Sequence, residues 1–357
     1  MRWYGVLALA TAALALGVAC TQLASPQGWA GPVVMDDVVL AAPERGELTA
    51  FDLAQGGALW RFPASGQDID LEAIYTTPAV AADTVYLAGY DGGVYALELS
   101  SGRLLWPSPF MTDDSIIGGI LVAGDTIYVG SSDSYLYALD AAAGTRKWRF
   151  KTDDRIWSRP TLADDTLYLT SMDGRLYALD PATGSERWRF KARAGIASTP
   201  TVADGKVVVG ALDSRLYALD AATGDLLWRF KADNWFWTEP LVDGDMVYAG
   251  SLDGNIYALD LATGQERWRF DTGEPVRARP ALAQGVLVVV NRKGEVFGLD
   301  PKTGTPAWAA PVLLEEDVLA DPFVAGNVVY ISDTDGTLHE ITAADGSRRS
   351  LDLSLRS

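Results

Sequence analysis

Seven tryptophans, Trp60, Trp106, Trp148, Trp188, Trp228, Trp268 and Trp308, recur at intervals of 46, 42, 40, 40, 40 and 40 residues. Four residues before each stands a glycine: Gly56, Gly102, Gly144, Gly184, Gly224, Gly264 and Gly304. Four residues before each glycine stands an acid: Asp52, Glu98, Asp140, Asp180, Asp220, Asp260 and Asp300. An eighth copy keeps Gly346 but has Thr342 and Ser350 where the count places the acid and the tryptophan. A period of about 40 residues means stacked copies of one supersecondary unit, none able to bury its apolar faces alone.

Each unit reads as four short strands. In the fifth copy these are TPTV (199–202), KVVVG (206–210), RLYALD (215–220) and LLWRF (226–230). The third alternates, with Leu216, Ala218 and Asp220 on one face and Tyr217 and Leu219 on the other. Asp173-Gly174, Asp213-Ser214 and Asp253-Gly254 mark tight hairpins between second and third strands. The Asp-x-x-x-Gly turn joins third to fourth, its carboxylate capping backbone N–H groups and its glycine supplying positive φ. Four strands in about 40 residues is the signature of a propeller blade. An open solenoid would need polar caps, and neither end shows one. The expected fold is all-β: one eight-bladed β-propeller over residues 31–357, against the two domains that 357 residues suggest. A closed ring of this kind is expected to be monomeric. The fourth strand of the last copy, around Arg349–Leu353, is the weakest, and an N-terminal strand is a candidate to complete that blade.

The pattern Asp-x-x-Thr-Gly-x-x-x-Trp stands literally at Asp180–Trp188, Asp220–Trp228, Asp260–Trp268 and Asp300–Trp308. It resembles the tryptophan-docking repeat of the quinoprotein (PQQ-like) β-propellers. That resemblance implies that each tryptophan wedges between adjacent blades, so the seven repeat tryptophans are structural. Quinoprotein dehydrogenases share these repeats. So does the BamB family, lipoproteins of the outer-membrane β-barrel assembly machine.

The N-terminus supports the second likeness. Arg2 precedes a 15-residue apolar run, residues 5–19, too short to cross a bilayer and suited to a signal peptide (1–19). The run ends in Leu16-Gly17-Val18-Ala19-Cys20, which resembles a bacterial lipobox. Cys20, the chain's single cysteine, is the expected lipidation site, and residues 20–30 read as a lipidated tether. By the rule for such lipoproteins, Thr21 permits sorting to the outer membrane of a diderm; in a monoderm the anchor would hold the protein at the cell surface.

Composition removes other functions. A net charge of −18 excludes a basic stripe for nucleic acid or anionic lipid. One cysteine and one histidine, His339, exclude an intrachain disulfide and argue against a Cys- or His-built metal site. His339 reads as filler in a weak strand. No metal, no catalytic residue and no cofactor is expected.

Beyond the repeat tryptophans, Trp157, Trp235 and Trp237 stand in the connections RFKTDDRIWSRP (149–160) and RFKADNWFWTEP (229–240). These lead into first strands on the hairpin face, at the mouth of the central channel, and are candidate partner or ligand residues. The residue before each first-strand proline varies: Thr77, Arg159, Thr199, Glu239, Arg279, Asp321, with Arg277 two before Arg279. A mixed ring of this kind either holds a polar ligand or satisfies itself as salt bridges. Three functions compete. The first is a non-catalytic, membrane-anchored scaffold binding an envelope protein, such as a β-barrel assembly component. The second is a receptor for a glycan or small molecule stacked on Trp157, Trp235 and Trp237. The third is a quinone-dependent dehydrogenase, for which the chain lacks the adjacent cysteines that many such enzymes carry.

Overall fold

Eight antiparallel four-stranded sheets follow one another along the chain, at residues 33–62, 79–111, 120–151, 161–191, 201–231, 241–271, 281–313 and 323–352. The computed structural model describes residues 28–353 apart from Arg45, and every described element is a strand. The architecture is the eight-bladed propeller that the repeat implies. Cys20 and the signal at 1–19 lie outside the described residues.

The fifth blade shows how the local sequence makes the unit. Its strands are Thr201–Ala203, Lys206–Ala211, Arg215–Asp220 and Leu226–Lys231, paired in that order. The first begins two residues later than the pattern suggests, leaving Thr199 on the channel wall. Asp204 and Gly205 turn the first hairpin with φ of +48° and +67°, the pair of positive values a two-residue turn needs. Asp213 turns the second: Oδ1 accepts the Arg215 N–H and Oδ2 the Tyr217 O–H. At the third turn Asp220 Oδ1 accepts the N–H groups of Ala222 and Thr223, both at 2.9 Å.

Both faces of the middle strands are buried, and the alternation sorts side chains between two neighbours. Leu216 and Ala218 pack with Val247, Ala249 and Leu259 of blade six. Tyr217 and Leu219 pack with Tyr168 and Leu176 of blade four. A fully buried Leu or Val of this kind is worth about 1.5–3 kcal/mol.

The repeat tryptophans fasten blade to blade. Trp60, Trp106, Trp148, Trp188, Trp228, Trp268 and Trp308 donate Nε1–H to Leu99, Ala141, Pro181, Ala221, Leu261, Pro301 and Ala343 O of the following blade, at 2.8–3.1 Å. Each acceptor directly follows the acid of the next turn, or Thr342 in the last.

Among the described residues the ring closes without an exchanged strand. Val33–Met35 pairs with Val38–Glu44 inside blade one, the tight turn at Asp36 keeping it local. The last blade is completed by its own Arg348–Asp352, and among the described residues no N-terminal strand enters it. That strand lacks the bulge seen in blade five beside Leu227. The pairing position that Trp228 holds opposite Ala218 therefore falls to Arg349, opposite Glu340, and Ser350 moves on to face His339. The seam is instead apolar: Val34, Val39, Ala41 and Phe51 meet Leu338, Leu351 and Leu353.

Candidate functional site at the channel mouth

Each connection descends into the channel in extended form before its first strand, so side chains alternate between lumen and body. Ile116, Ile156, Ile196, Phe236, Val276 and Val318 face the body and are buried. The next residue faces the lumen, giving an outer ring of Trp29, Tyr75, Ile117, Trp157, Ala197, Trp237, Arg277 and Leu319. Two residues further on is an inner ring of Gly31, Thr77, Gly119, Arg159, Thr199, Glu239, Arg279 and Asp321. All but Gly31 and Arg279 line one recess that opens to solvent.

The inner ring is tied together by charge. Glu239 Oε2 accepts Arg159 Nη2 at 3.0 Å and forms an ion pair with Arg279 Nη1 at 3.4 Å, so one carboxylate serves two guanidinium groups. The Arg159–Glu239 bridge spans from blade four to blade six above the short Thr199, whose Oγ1 accepts the Arg159 N–H. The Arg279 N–H goes to Asp321 Oδ1 at 2.7 Å. Asp321 opens on the lumen yet is enclosed by the channel wall. This desolvation raises its carboxyl pKa against the Arg279 hydrogen bond, and the Glu239 charge adds to the rise. Gly119 makes room for Arg159: a Cβ there would stand 3.1 Å from the arginine's Cβ and Cδ.

The outer ring is aromatic. Trp157 and Trp237 meet at 6.3 Å between centroids, leaning over Ala197. Trp29 meets Tyr75 edge-on at 4.3 Å, and Tyr75 meets Tyr90 at 5.3 Å. Arg277 lies between the groups, its Cζ 4.5 Å from the Trp29 centroid and 5.1 Å from that of Trp237. Burial lowers the Arg277 pKa, nearby Arg292 adds to this, and Tyr75 opposes it.

The structure thus brings Trp157, Arg159, Trp237, Glu239 and Arg277 into one recess, with Arg279 joined through Glu239. Trp235 goes elsewhere. It is 43% exposed on the hairpin face, where its carbonyl accepts the Leu252 N–H. Sequence reasoning missed Tyr75 and left Trp29 at the tether or first strand. The signal was available: Trp29, Tyr75, Trp157 and Trp237 share one register of the repeat.

The quinone of the dehydrogenases bears several carboxylates and is held with a metal ion. The recess offers one unpaired cation, Arg277, and among the described residues no three His, Cys, Asp or Glu converge to hold a metal. The residues present do not fit that cofactor.

The family model described as outer membrane protein assembly factor BamB matches residues 44–156, 133–251, 207–275 and 252–349. The BamB of Legionella pneumophila (strain Paris) is 34% identical over 83 residues, 22% of this chain and 22% of that protein. The BamB of Pseudomonas aeruginosa is 29% identical over 85 residues, again 22% of each. The alignments to these relatives thus span about a fifth of their length. The crystal structure of BamB from Moraxella catarrhalis superposes with a TM-score of 0.74 at 20% identity, covering 86% of this chain and 94% of that one. A europium-containing methanol dehydrogenase superposes at 0.70 and 14% identity, covering 88% and 82%. These two likenesses show the fold, and a fold alone does not fix a function. The family match is of another order, since it runs from the first blade into the eighth, and by it the chain belongs to the family of outer membrane protein assembly factor BamB.

Proposed function

We propose that the protein is a non-catalytic, lipid-anchored envelope protein that assists outer-membrane protein assembly by holding a protein partner, a β-barrel assembly component, against the hairpin face of its ring. The observation that carries this reading is the family match through residues 44–349. Three features support it. Cys20 ends the apolar run at which a lipoprotein would be cleaved and acylated. The hairpin face presents an exposed tryptophan, Trp235, beside an aromatic recess, a composition typical of binding hot spots. The charge of −18 suits a basic patch on a partner.

The test is capture of the full-length protein from its own envelope under mild crosslinking, with mass spectrometry of what co-purifies. The Trp157→Ala, Trp235→Ala, Trp237→Ala triple variant is the control. A stoichiometric β-barrel assembly protein, lost in the variant, is the expected result. An empty capture, or the same set with the variant, overturns docking through this face. Cys20→Ser is expected to move the protein out of the membrane fraction.

A further inference from the structure

We infer that the channel mouth is a receptor site for a single carboxylate carried on a flat apolar body, Arg277 receiving the charge and Trp29 and Trp237 the body. This deepens the docking function and rests on it for its setting, while its chemistry stands on the recess alone.

The argument starts from what Arg277 lacks. The other lumen arginines are paired, since Arg159 and Arg279 share Glu239. The Arg277 guanidinium makes neither an ion pair nor a hydrogen bond among the described residues; it is held by two indole rings, at 4.5 and 5.1 Å. Contact with the rings leaves the five guanidinium N–H donors without an acceptor. Half-buried donors without acceptors are unfavourable, and a ligand that supplies the acceptor removes that penalty.

Charge and shape narrow the ligand. In the inner ring two arginines face two acids, Glu239 and Asp321, so Arg277 is the net charge of the lumen. One negative group is matched. A dianion such as phosphate would meet one cation and two carboxylates deeper in. A carboxylate fits the planar fork of the guanidinium with two parallel hydrogen bonds. Trp29 and Trp237 are part-exposed in the recess, and the aromatic surface that Arg277 leaves uncovered would go unused by an inorganic ion. Two sources share this chemistry: the last residue of a polypeptide and a free aromatic acid.

The test is calorimetric titration of the full-length protein in detergent with N-acetyl-phenylalanine, its uncharged amide, and acetate. The acid is expected to bind, with amide and acetate weaker by about tenfold or more. In Arg277→Gln the preference for acid over amide disappears. Arg277→Lys, which keeps the charge without the fork, retains part of it. Melting curves establish that both variants are folded. A hexapeptide of Gly and Ser ending in phenylalanine separates the sources: binding tighter than N-acetyl-phenylalanine assigns a chain end, and binding no tighter assigns a free acid. Amide or acetate binding as tightly as the acid overturns the inference, as does an unchanged acid-to-amide ratio in folded Arg277→Gln. If discrimination fails while the envelope partner still co-purifies, the carboxylate site falls alone. If it holds and nothing co-purifies, the docking function falls and the site stands.

Discussion

The indole of Trp188 lies against Gly224 of the following blade so closely that a Cβ on the glycine would stand 2.5 Å from Cε3, while Nε1 donates to Ala221 O at 3.1 Å. Gly224 thus has two reasons to be glycine, because its φ is also +78°. Gly224→Ala is expected to lower stability by about 2–4 kcal/mol, adding the cost of the left-handed backbone to that of overpacking. Gly205→Ala is the comparison: its φ is +67° but nothing stands within 4 Å of the added Cβ, so about 1–2 kcal/mol is expected. Urea unfolding midpoints decide; equal losses would show that the tryptophan contact contributes nothing.

The seam between blades eight and one has no such fastening. Arg349 and Glu340 stand where blades one and three to six pair tryptophan with alanine, and Leu351 and Leu353 meet Phe51 beside a shallow cleft. Ring opening should begin there. Backbone amides of Val38–Glu44 and Thr337–Thr342 are expected to exchange with deuterium faster than those of Lys206–Ala211 and Arg215–Asp220. Uniform protection across these four strands would remove the seam as the weak joint.

Alkali is expected to unfold the ring. Tyr95, Tyr137, Tyr177, Tyr217 and Tyr257 donate to Asp91, Asp133, Asp173, Asp213 and Asp253 of their hairpins. Burial first, then the bond to aspartate, raises each pKa above 10.0; that of Tyr217 is pushed up to about 12. A raised folded-state pKa means stability fully present below the unfolded value and lost as pH climbs toward the folded one. Between pH 10 and 12 each tyrosine should remove on the order of 1 kcal/mol per pH unit. Tyrosinate absorbance near 295 nm should rise together with loss of β circular dichroism. Ionisation completed at pH 10 with the fold intact would contradict the burial argument.

Fold and site were legible to different degrees because different forces set them. A docking tryptophan, its glycine and its acid recur in seven of the eight blades, so period alone reveals them. The closing blade was harder: one missing bulge shifts Arg349 into the pairing position while the count points to Ser350. The channel mouth repeats in position but not in residue type. Trp157 and Trp237 stand out as tryptophans, whereas Trp29 and Tyr75 join them only when the register is carried into residues that look like tether or loop. Trp235, two residues from Trp237 and so on the same side of an extended segment, leaves the recess because its backbone turns outward to meet Leu252. Which charges pair also depends on reach. Arg159 and Glu239 are 80 residues apart and meet because Thr199 between them is short.

That pair gives a direct test. The Glu239 side chain is 13% exposed, against 40% for Arg159 and 35% for Arg279. Glu239→Gln leaves two guanidinium groups without their shared anion. It is expected to lower stability by about 1–2 kcal/mol, less than a fully buried pair because both arginines reach solvent. Adding Arg159→Gln should recover part of the loss. A double-mutant cycle in urea reads the coupling, and a cycle that sums to zero would mean the inner ring is solvated rather than bonded.

His339 tests whether the last blade still obeys the repeat. It sits where blade five has Tyr217, with Nε2 3.0 Å from Asp333 Oδ2 and Nδ1 2.9 Å from Ser350 Oγ. Asp333 is the hairpin aspartate that elsewhere accepts a tyrosine. Burial works to raise its pKa, but the bonds from His339 and the Thr337 N–H outweigh it and hold the carboxyl low. A lowered folded-state pKa means stability present above the usual carboxylate range and lost as pH falls through it. His339→Tyr restores the donor used in blades two to six and should stay within about 0.5 kcal/mol of the parent at pH 7. His339→Phe keeps the ring, takes away the donor, and should lose about 1–3 kcal/mol. The phenylalanine variant should also lose less on going from pH 7 to pH 3, because its Asp333 gains less from being ionised. Equal stability of the two variants at pH 7 would mean that His339 acts through packing alone.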